Sequence, residues 1–123
     1  MSDPTPTFRI RAKIWIENDQ GKVIFGAGRL SILAAVVRCG SINAAAKSLN
    51  MSYRAVWGKI KDSERRLGTP LLVRQVGGTS GGGSELTSFG KRLVTKFAEL
   101  QNNAEIEAEH LFARYFPSDD SLA

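Results

Sequence analysis

The residues best placed to do chemistry in this chain form one short cluster. Ser52, Tyr53 and Arg54 supply a hydroxyl, a phenol and a guanidinium in three consecutive positions, and Trp57, Gly58 and Lys61 recur on the same side at helical spacing. Ser52 can cap a helix, so that the free N–H groups and the positive dipole end of the first turn favour a phosphate while Arg54 reaches a base edge or a backbone oxygen. Tyr53 and Trp57 are open to two readings: they contact a base or sugar, or they pack against a neighbouring element. The mid-helix Gly58 costs about 1 kcal/mol relative to alanine, which fits a place where another backbone comes close.

Other chemistries lack their residues. The chain has one Cys and one His, so it can build neither an internal disulfide nor a Cys/His metal site, and no metal or cofactor is expected. A hydrolytic triad would need His110, which sits among Glu105, Glu107 and Glu109 on what reads as a solvated helix face. Cys39, at a helix end, reads as a small filler and not as a redox switch. The glycine-rich stretch has the Gly78 and Gly83 spacing of a phosphate-binding loop, but Ser84-Glu85 stands where Lys-Ser/Thr is required, so nucleotide binding is rejected. No convergent acid, base and nucleophile is visible, and the chain is read as a non-enzyme.

The elements that must position the cluster follow from local signals. In 123 residues, with 42% hydrophobic and 24% charged, there is room for one domain and one protruding element. The longest apolar run covers residues 32–37, too short for a membrane span, and the N-terminus has no basic-then-apolar leader, so a cytoplasmic protein is expected. Residues 1–7 and 117–123 read as disordered tails. Phe8, Ile10, Ala12, Ile14 and Ile16 alternate with Arg9, Arg11, Lys13 and Trp15, the period of a half-exposed strand. The turn formers of residues 18–22 and the run Val23-Ile24-Phe25 complete an N-terminal β-hairpin, which Gly26 and Gly28 end.

Leu30, Leu33, Ala34 and Val37 place one stripe on a helix from about Arg29 to Cys39, stopped by Gly40. Ser41 caps a short second helix bearing Ile42, Ala45, Ala46 and Leu49, and Asn50-Met51 breaks it. Small residues at 44–46 let the next helix cross closely. That helix hides Val56, Ile60, Ser63 and Leu67, and Gly68 and Pro70 terminate it. Leu71 to Arg74 and Glu85 to Thr87 read as a second hairpin around the glycine stretch. Thr87 or Ser88 caps a last helix carrying Phe89, Leu93, Phe97, Leu100, Ala104, Ala108, Leu111 and Tyr115 at intervals of three and four. At roughly 1.5 Å per residue this helix is about 45 Å long, more than one small domain can cover.

Short helix, tight break, exposed helix, then strand, loop and strand make a winged helix-turn-helix. The expected fold is α+β, mainly helical: a domain at 8–87 with an N-terminal β-hairpin, followed by a long dimerisation helix at 88–116. Charge placement agrees. Residues 28–75 hold nine basic side chains against two acidic ones, whereas residues 99–123 hold six acidic against Arg114, so a basic centre adjoins an acidic tail. Against a net charge of +5 overall, that asymmetry is what favours a polyanion.

Gly40-Ser41-Ile42, Ala45-Ala46, Leu49, Ser52, Val56, Ile60, Glu64, Leu67-Gly68, Leu71-Leu72, Arg74 and Leu86-Thr87 resemble the DNA-binding domain of LysR-type regulators. Ser52-Tyr53-Arg54-Ala55-Val56-Trp57 and the glycine wing look more narrowly like the N-terminal domain of ModE-type molybdate-responsive transcriptional regulators. The resemblance covers about residues 25–116. It implies a homodimer joined through the long helices, through Leu93, Phe97, Leu100, Ala104, Ala108 and Leu111, and reading a palindromic operator. It places double-stranded DNA against Ser41, Asn43 and Lys47 on the first helix, Ser52, Tyr53, Arg54, Trp57, Gly58 and Lys61 on the second, and Arg74, Gly78, Thr79, Ser80 and Gly81 on the wing. Lys59, Arg65 and Arg66 are further candidates for phosphate contact. The molybdate-binding domains of full-length members would follow this region, so the expectation is a regulator without them: a stand-alone regulator, one that answers to a separate molybdate-binding or other effector protein, or a DNA-binding module with another signal. The alternative from another class is a protein-interaction module that assembles a complex through the winged fold and long helix.

Overall fold

A computed structural model of the chain describes residues 7–75 and 83–117. Its elements run β1 (Trp15–Glu17), β2 (Val23–Gly26), α1 (Ala27–Cys39), α2 (Ile42–Ser48), α3 (Tyr53–Leu67), β3 (Leu72–Gln75), β4 (Gly83–Leu86) and α4 (Ser88–Tyr115). β1 pairs antiparallel with β2, and β3 with β4 in the register Leu72 to Leu86 through Gln75 to Gly83. This is the mainly helical winged helix-turn-helix that the sequence predicts. The expected tails at 1–6 and 118–123 and the wing tip at 76–82 lie outside the described residues.

Each helix boundary has a local cause. The chain bends by 115° between α1 and α2, after which Ser41 Oγ accepts the Ala44 N–H at 3.1 Å and starts the second helix. α2 then stops in a Schellman arrangement: Asn50 takes a left-handed φ of 56°, its N–H reaches the Lys47 carbonyl, and the Met51 N–H reaches that of Ala46. Asparagine is among the few non-glycine residues that tolerate this conformation, which is why two residues suffice for the break. Ser52 Oγ accepts from the Ala55 N–H at 3.0 Å and opens α3. At its other end Gly68, at φ 73°, closes the helix on the Glu64 carbonyl.

The core gathers Phe25, Ile32, Leu33, Ala35, Val36, Ala45, Ala46, Val56, Ile60, Leu71 and Phe97. Ala45 and Ala46 are buried as the close crossing of α2 and α3 requires. The stripe on α1 differs from the sequence expectation. Ile32, Leu33, Ala35 and Val36 are buried, whereas Ala34 is exposed and Val37 is 56% exposed. Residues 32–37 are all apolar, so periodicity alone cannot fix the helix phase, and the contacts with Phe25, α2 and α4 select it. Helix α1 also starts earlier than expected, so Gly28 lies inside it.

The predicted N-terminal strand is paired only over Trp15–Glu17. Upstream the two-residue alternation persists, with Ile10, Ala12 and Ile14 half-buried and Arg9, Arg11 and Lys13 exposed. Those residues have no ladder partner because they run against α4: Gln101 Nε2 donates to the Ala12 carbonyl at 2.8 Å, and Arg11 pairs with Glu105 at 3.5 Å. Ser63, the buried polar residue of α3, donates to the Ile24 carbonyl at 2.6 Å and pins the hairpin to that helix.

Two contacts tie the wing to the helices. One Glu64 carboxylate oxygen accepts the Leu71 N–H at 2.7 Å and the Leu72 N–H at 3.2 Å, just where β3 begins. Thr87 closes the other strand on the carbonyls of Pro70 and Leu71 and caps α4 through Gly90 N–H. Gly90 must be glycine: a Cβ there would lie 2.5 Å from the Leu71 carbonyl oxygen.

Burial pushes the Glu64 carboxyl up, but the two backbone N–H groups and Lys61 outweigh it and hold the pKa below the ordinary carboxylate value. A lowered pKa in the folded state means stability that is present at neutral pH and lost as the pH falls through the folded value. Glu64→Gln should therefore cost about 1 kcal/mol in urea unfolding at pH 7, with the difference from the parent shrinking below about pH 4. Gly90→Ala should cost about 1–3 kcal/mol at either pH, by overpacking against Leu71. Equal stability of parent and Gly90→Ala would show that α4 can shift away from the wing.

Candidate nucleic-acid interface

The free end of α3 carries the cluster. Ser52, Tyr53 and Arg54 stand at its first turn, all exposed, and no acidic residue occupies that turn. Ser52 satisfies only the Ala55 N–H and its carbonyl takes Val56, which leaves the N–H groups of Tyr53 and Arg54 without helical partners. Backbone donors, a helix dipole and a guanidinium thus converge on one solvent-facing point. Among the described residues Arg54 has no ion pair or side-chain hydrogen bond.

One turn along, Trp57 is 44% exposed, which removes the reading of it as a core residue. Tyr53 is 39% exposed, and its hydroxyl accepts from Arg74 Nη2 on β3 at 3.4 Å, so the two candidate contacts on helix and wing stand side by side. A cleft of about 260 Å³ lies between α3 and the wing, lined by Ile42, Trp57, Ile60, Lys61, Glu64, Leu72, Arg74 and Ser84. On α2, Asn43 and Lys47 are exposed, while Ser41 is half-buried by its capping role. Gly78, Thr79, Ser80 and Gly81 lie outside the described residues.

Structure separates basic residues that look alike in the sequence. Arg65 pairs with Asp62, Arg66 turns inward to donate to the Val23 carbonyl, and Lys61 pairs with Glu64 at 3.1 Å. Lys47, Lys59 and Arg54 have no such partner among the described residues. The i,i+3 spacing of Lys61–Glu64 and Arg65–Asp62 was legible in the sequence, but the Arg66 contact was not, because Val23 is 43 positions away. Sequence reasoning weighed Gly83 only for phosphate-loop spacing and missed its structural place: its neighbour Ser84 donates its N–H to the Gly40 carbonyl at 2.9 Å and so fastens the wing to the turn before α2. A Cβ on Gly83 would stand 2.6 Å from that same oxygen.

The long helix divides in the same way. Phe97 is buried against its own domain, its ring edge-on to Phe25 at 5.2 Å, and Leu93 packs on the same core. The assignment of Phe97 to a dimer interface is corrected, because α4 needs it to attach to its own subunit; Leu93 is half-buried. Leu100 and Leu111 are 50% and 45% exposed, with Ala104 and Ala108 half-buried between them. His110 is exposed beside Glu107, 3.9 Å away, and Cys39 is half-buried and free. Among the described residues no group of three or more His, Cys, Asp or Glu is placed to hold a metal ion, and no single helix is long and apolar enough to cross a membrane.

The family described as bacterial regulatory helix-turn-helix protein, lysR family, matches residues 28–91. The molybdenum transport protein ModE of Azotobacter vinelandii is 35% identical over 106 residues, 86% of this chain and 39% of that protein. The DNA-binding transcriptional dual regulator ModE of Escherichia coli K12 is 33% identical over 88 residues, 69% of this chain and 34% of its own length. The chain therefore spans about two fifths or less of these relatives. In the crystal structure titled CbnR_DBD-DNA complex, the matching chain superposes with a TM-score of 0.55 at 26% identity, covering 72% of this chain and 95% of that one.

A Cβ on Gly58 would meet nothing within 4 Å. Gly58→Ala should accordingly raise stability by about 0.5–1 kcal/mol in urea unfolding, the reverse of Gly90→Ala. A loss of stability would mean that α3 is less regular at this turn than described.

Proposed function

The chain belongs to the lysR family of bacterial regulatory helix-turn-helix proteins, and on that premise we propose that it is a ModE-like transcriptional regulator that binds double-stranded DNA. The observation that carries the reading is the α3 N-terminus: a helix start free of acidic residues, with Tyr53 and Arg54 exposed, inside the most basic stretch of the chain. Arg54 acts on a guanine edge or a phosphate, and the unpaired N–H groups of the first turn act on a phosphate. Lys47, Lys59 and Arg74 contribute backbone contacts, and Ser41, Asn43 and the wing residues Gly78, Thr79, Ser80 and Gly81 are further candidate contacts. The Escherichia coli relative's name and the likeness to the CbnR complex support this reading.

The functional unit in this reading is a homodimer built on the outer half of α4. Leu100, Ala104, Ala108 and Leu111 form an apolar strip that the chain's own domain leaves uncovered. Lys91, Arg92, Lys96 and Glu99 charge the first half of α4, and Glu105, Glu107, Glu109 and Arg114 the second. Two copies packed antiparallel cover each other's strips. Such a pair is two-fold symmetric, so its recognition helices meet half-sites one DNA turn or a multiple apart, and the operator is palindromic. The domain limits follow: 8–87 for DNA and 88–116 for pairing. Molybdate enters only through the resemblance to ModE-type regulators, one relative of which is named for molybdenum transport, as a signal received through a separate molybdate-binding or other effector protein.

Fluorescence anisotropy on random-sequence duplex across a salt series tests the first part. Affinity should fall steeply with salt, and Arg54→Ala should cost about 1–3 kcal/mol on an operator selected from a random pool and relax its sequence preference. Salt-insensitive or absent binding would leave a protein-interaction module instead. Selection with and without molybdate reports operator symmetry and effector dependence together. Sedimentation equilibrium at micromolar concentration should give a dimer, and Leu100→Lys with Leu111→Lys should give a folded monomer; a monomeric parent would end the dimer proposal.

A further inference from the structure

Lys61 looks in the sequence like one more phosphate-seeking cation, yet its ammonium is already engaged twice. Its Nζ lies 3.1 Å from Glu64 Oε1 and sits over the Trp57 ring, 5.7 Å from the centroid. Glu64 is itself fixed, because its other oxygen holds the Leu71 and Leu72 N–H groups at the base of the wing. A phosphate approaching Lys61 would also approach that carboxylate, so the local field offers it little. The result is a relay on one helix face: wing backbone to Glu64, Glu64 to Lys61, Lys61 to the face of Trp57.

At the end of that relay the indole stands 44% exposed at the edge of the cleft between α3 and the wing. Among the described residues its Nε1–H has no hydrogen-bond acceptor. One ring face is covered by a cation, the edge carries an unused donor, and the side chain lies one turn beyond Arg54. An indole held this way can offer a hydrogen bond and an apolar edge to a base or sugar without releasing a counterion.

We propose that Trp57 is a specificity-determining contact to the duplex and that Lys61, neutralised by Glu64, is a positioning residue for it and makes no phosphate contact. The proposal rests on the DNA-binding reading above. It predicts a division of labour on α3: Arg54 supplies the salt-dependent part of the affinity, and Trp57 adds sequence preference that salt does not touch.

The test measures the parent, Lys61→Met, Lys61→Arg, Trp57→Phe and the Lys61→Met/Trp57→Phe double variant on an operator selected by the parent and on a scrambled duplex of equal length, across a salt series. Lys61→Met should lose roughly fivefold on the operator and nothing on the scrambled duplex, with the salt slope unchanged. Lys61→Arg, which keeps both the ion pair and the cation over the ring, should restore operator affinity. In the Trp57→Phe background Lys61→Met should add less than about a twofold loss, since its target is gone. Equal losses on both duplexes with a slope shallower by about one unit would make Lys61 a phosphate contact and overturn the proposal. No loss on either duplex, or a fully additive double variant, would overturn it as well. If the parent itself shows no salt-dependent binding, the DNA-binding reading falls before any variant is compared, which is a separate result.

Discussion

Everything that gives this fold a working face depends on the carboxylate of Glu64. It sits in the last turns of α3, accepts two backbone N–H groups from the start of β3 and holds Lys61 with its other oxygen. A buried sheet corner whose N–H groups had no acceptor would cost free energy comparable to the bonds themselves, so the wing cannot begin elsewhere. The carboxylate stays ionised because those donors favour its charged form more strongly than partial burial disfavours it. Together with the Ser84 N–H on the Gly40 carbonyl and the Arg74 hydrogen bond to Tyr53, it holds the wing against the exposed helix beside the cleft that Trp57 and Arg74 flank.

The same economy explains why a strongly basic segment presents few free cations. Of the basic residues between α3 and β3, Arg65, Arg66 and Lys61 are committed to Asp62, the Val23 carbonyl and Glu64. These contacts fasten the hairpin, the helix C-terminus and the wing to one another. Charge that remains uncommitted is concentrated at the start of α3 and on Lys47 and Lys59. In a lysR-family chain this separation matters for mechanism: counting lysines and arginines overstates how many phosphates a protomer can neutralise, and the steepness of salt dependence should reflect the smaller number.

Helix α4 joins two tasks along one face. Its first half is anchored by Phe97 against Phe25 and by the short passage of Gly90 under Leu71. Its middle is clasped by the N-terminal segment through Gln101 and Glu105. The same stripe continues past Phe97 as Leu100, Ala104, Ala108 and Leu111, of which Leu100 and Leu111 stay exposed. The segment before the N-terminal hairpin is thus a brace for the long helix, and its exposed row of Arg9, Arg11 and Lys13 is the outer side of that brace.

Local signals carried much of the architecture. Ser41, Ser52 and Thr87 cap the helices that follow them, Gly40 and Gly68 end helices, and the 3.6-residue pattern of Val56, Ile60 and Ser63 marks the buried side of α3. Each of these depends on residues at most four positions apart, which is why order, fold class and the exposed turn could be read from sequence by itself. Tertiary structure decided what no neighbouring residue specifies. It chose the buried face of the all-apolar run in α1, turned the residues before Trp15 into a brace in place of a paired strand, and moved Phe97 from the expected dimer face into the domain core. It also sorted free cations from engaged ones. Apart from the local i,i+3 pairs of Lys61 and Arg65, several local arrangements satisfy the backbone equally well in these cases, and contacts between distant segments supply the free-energy difference that selects one.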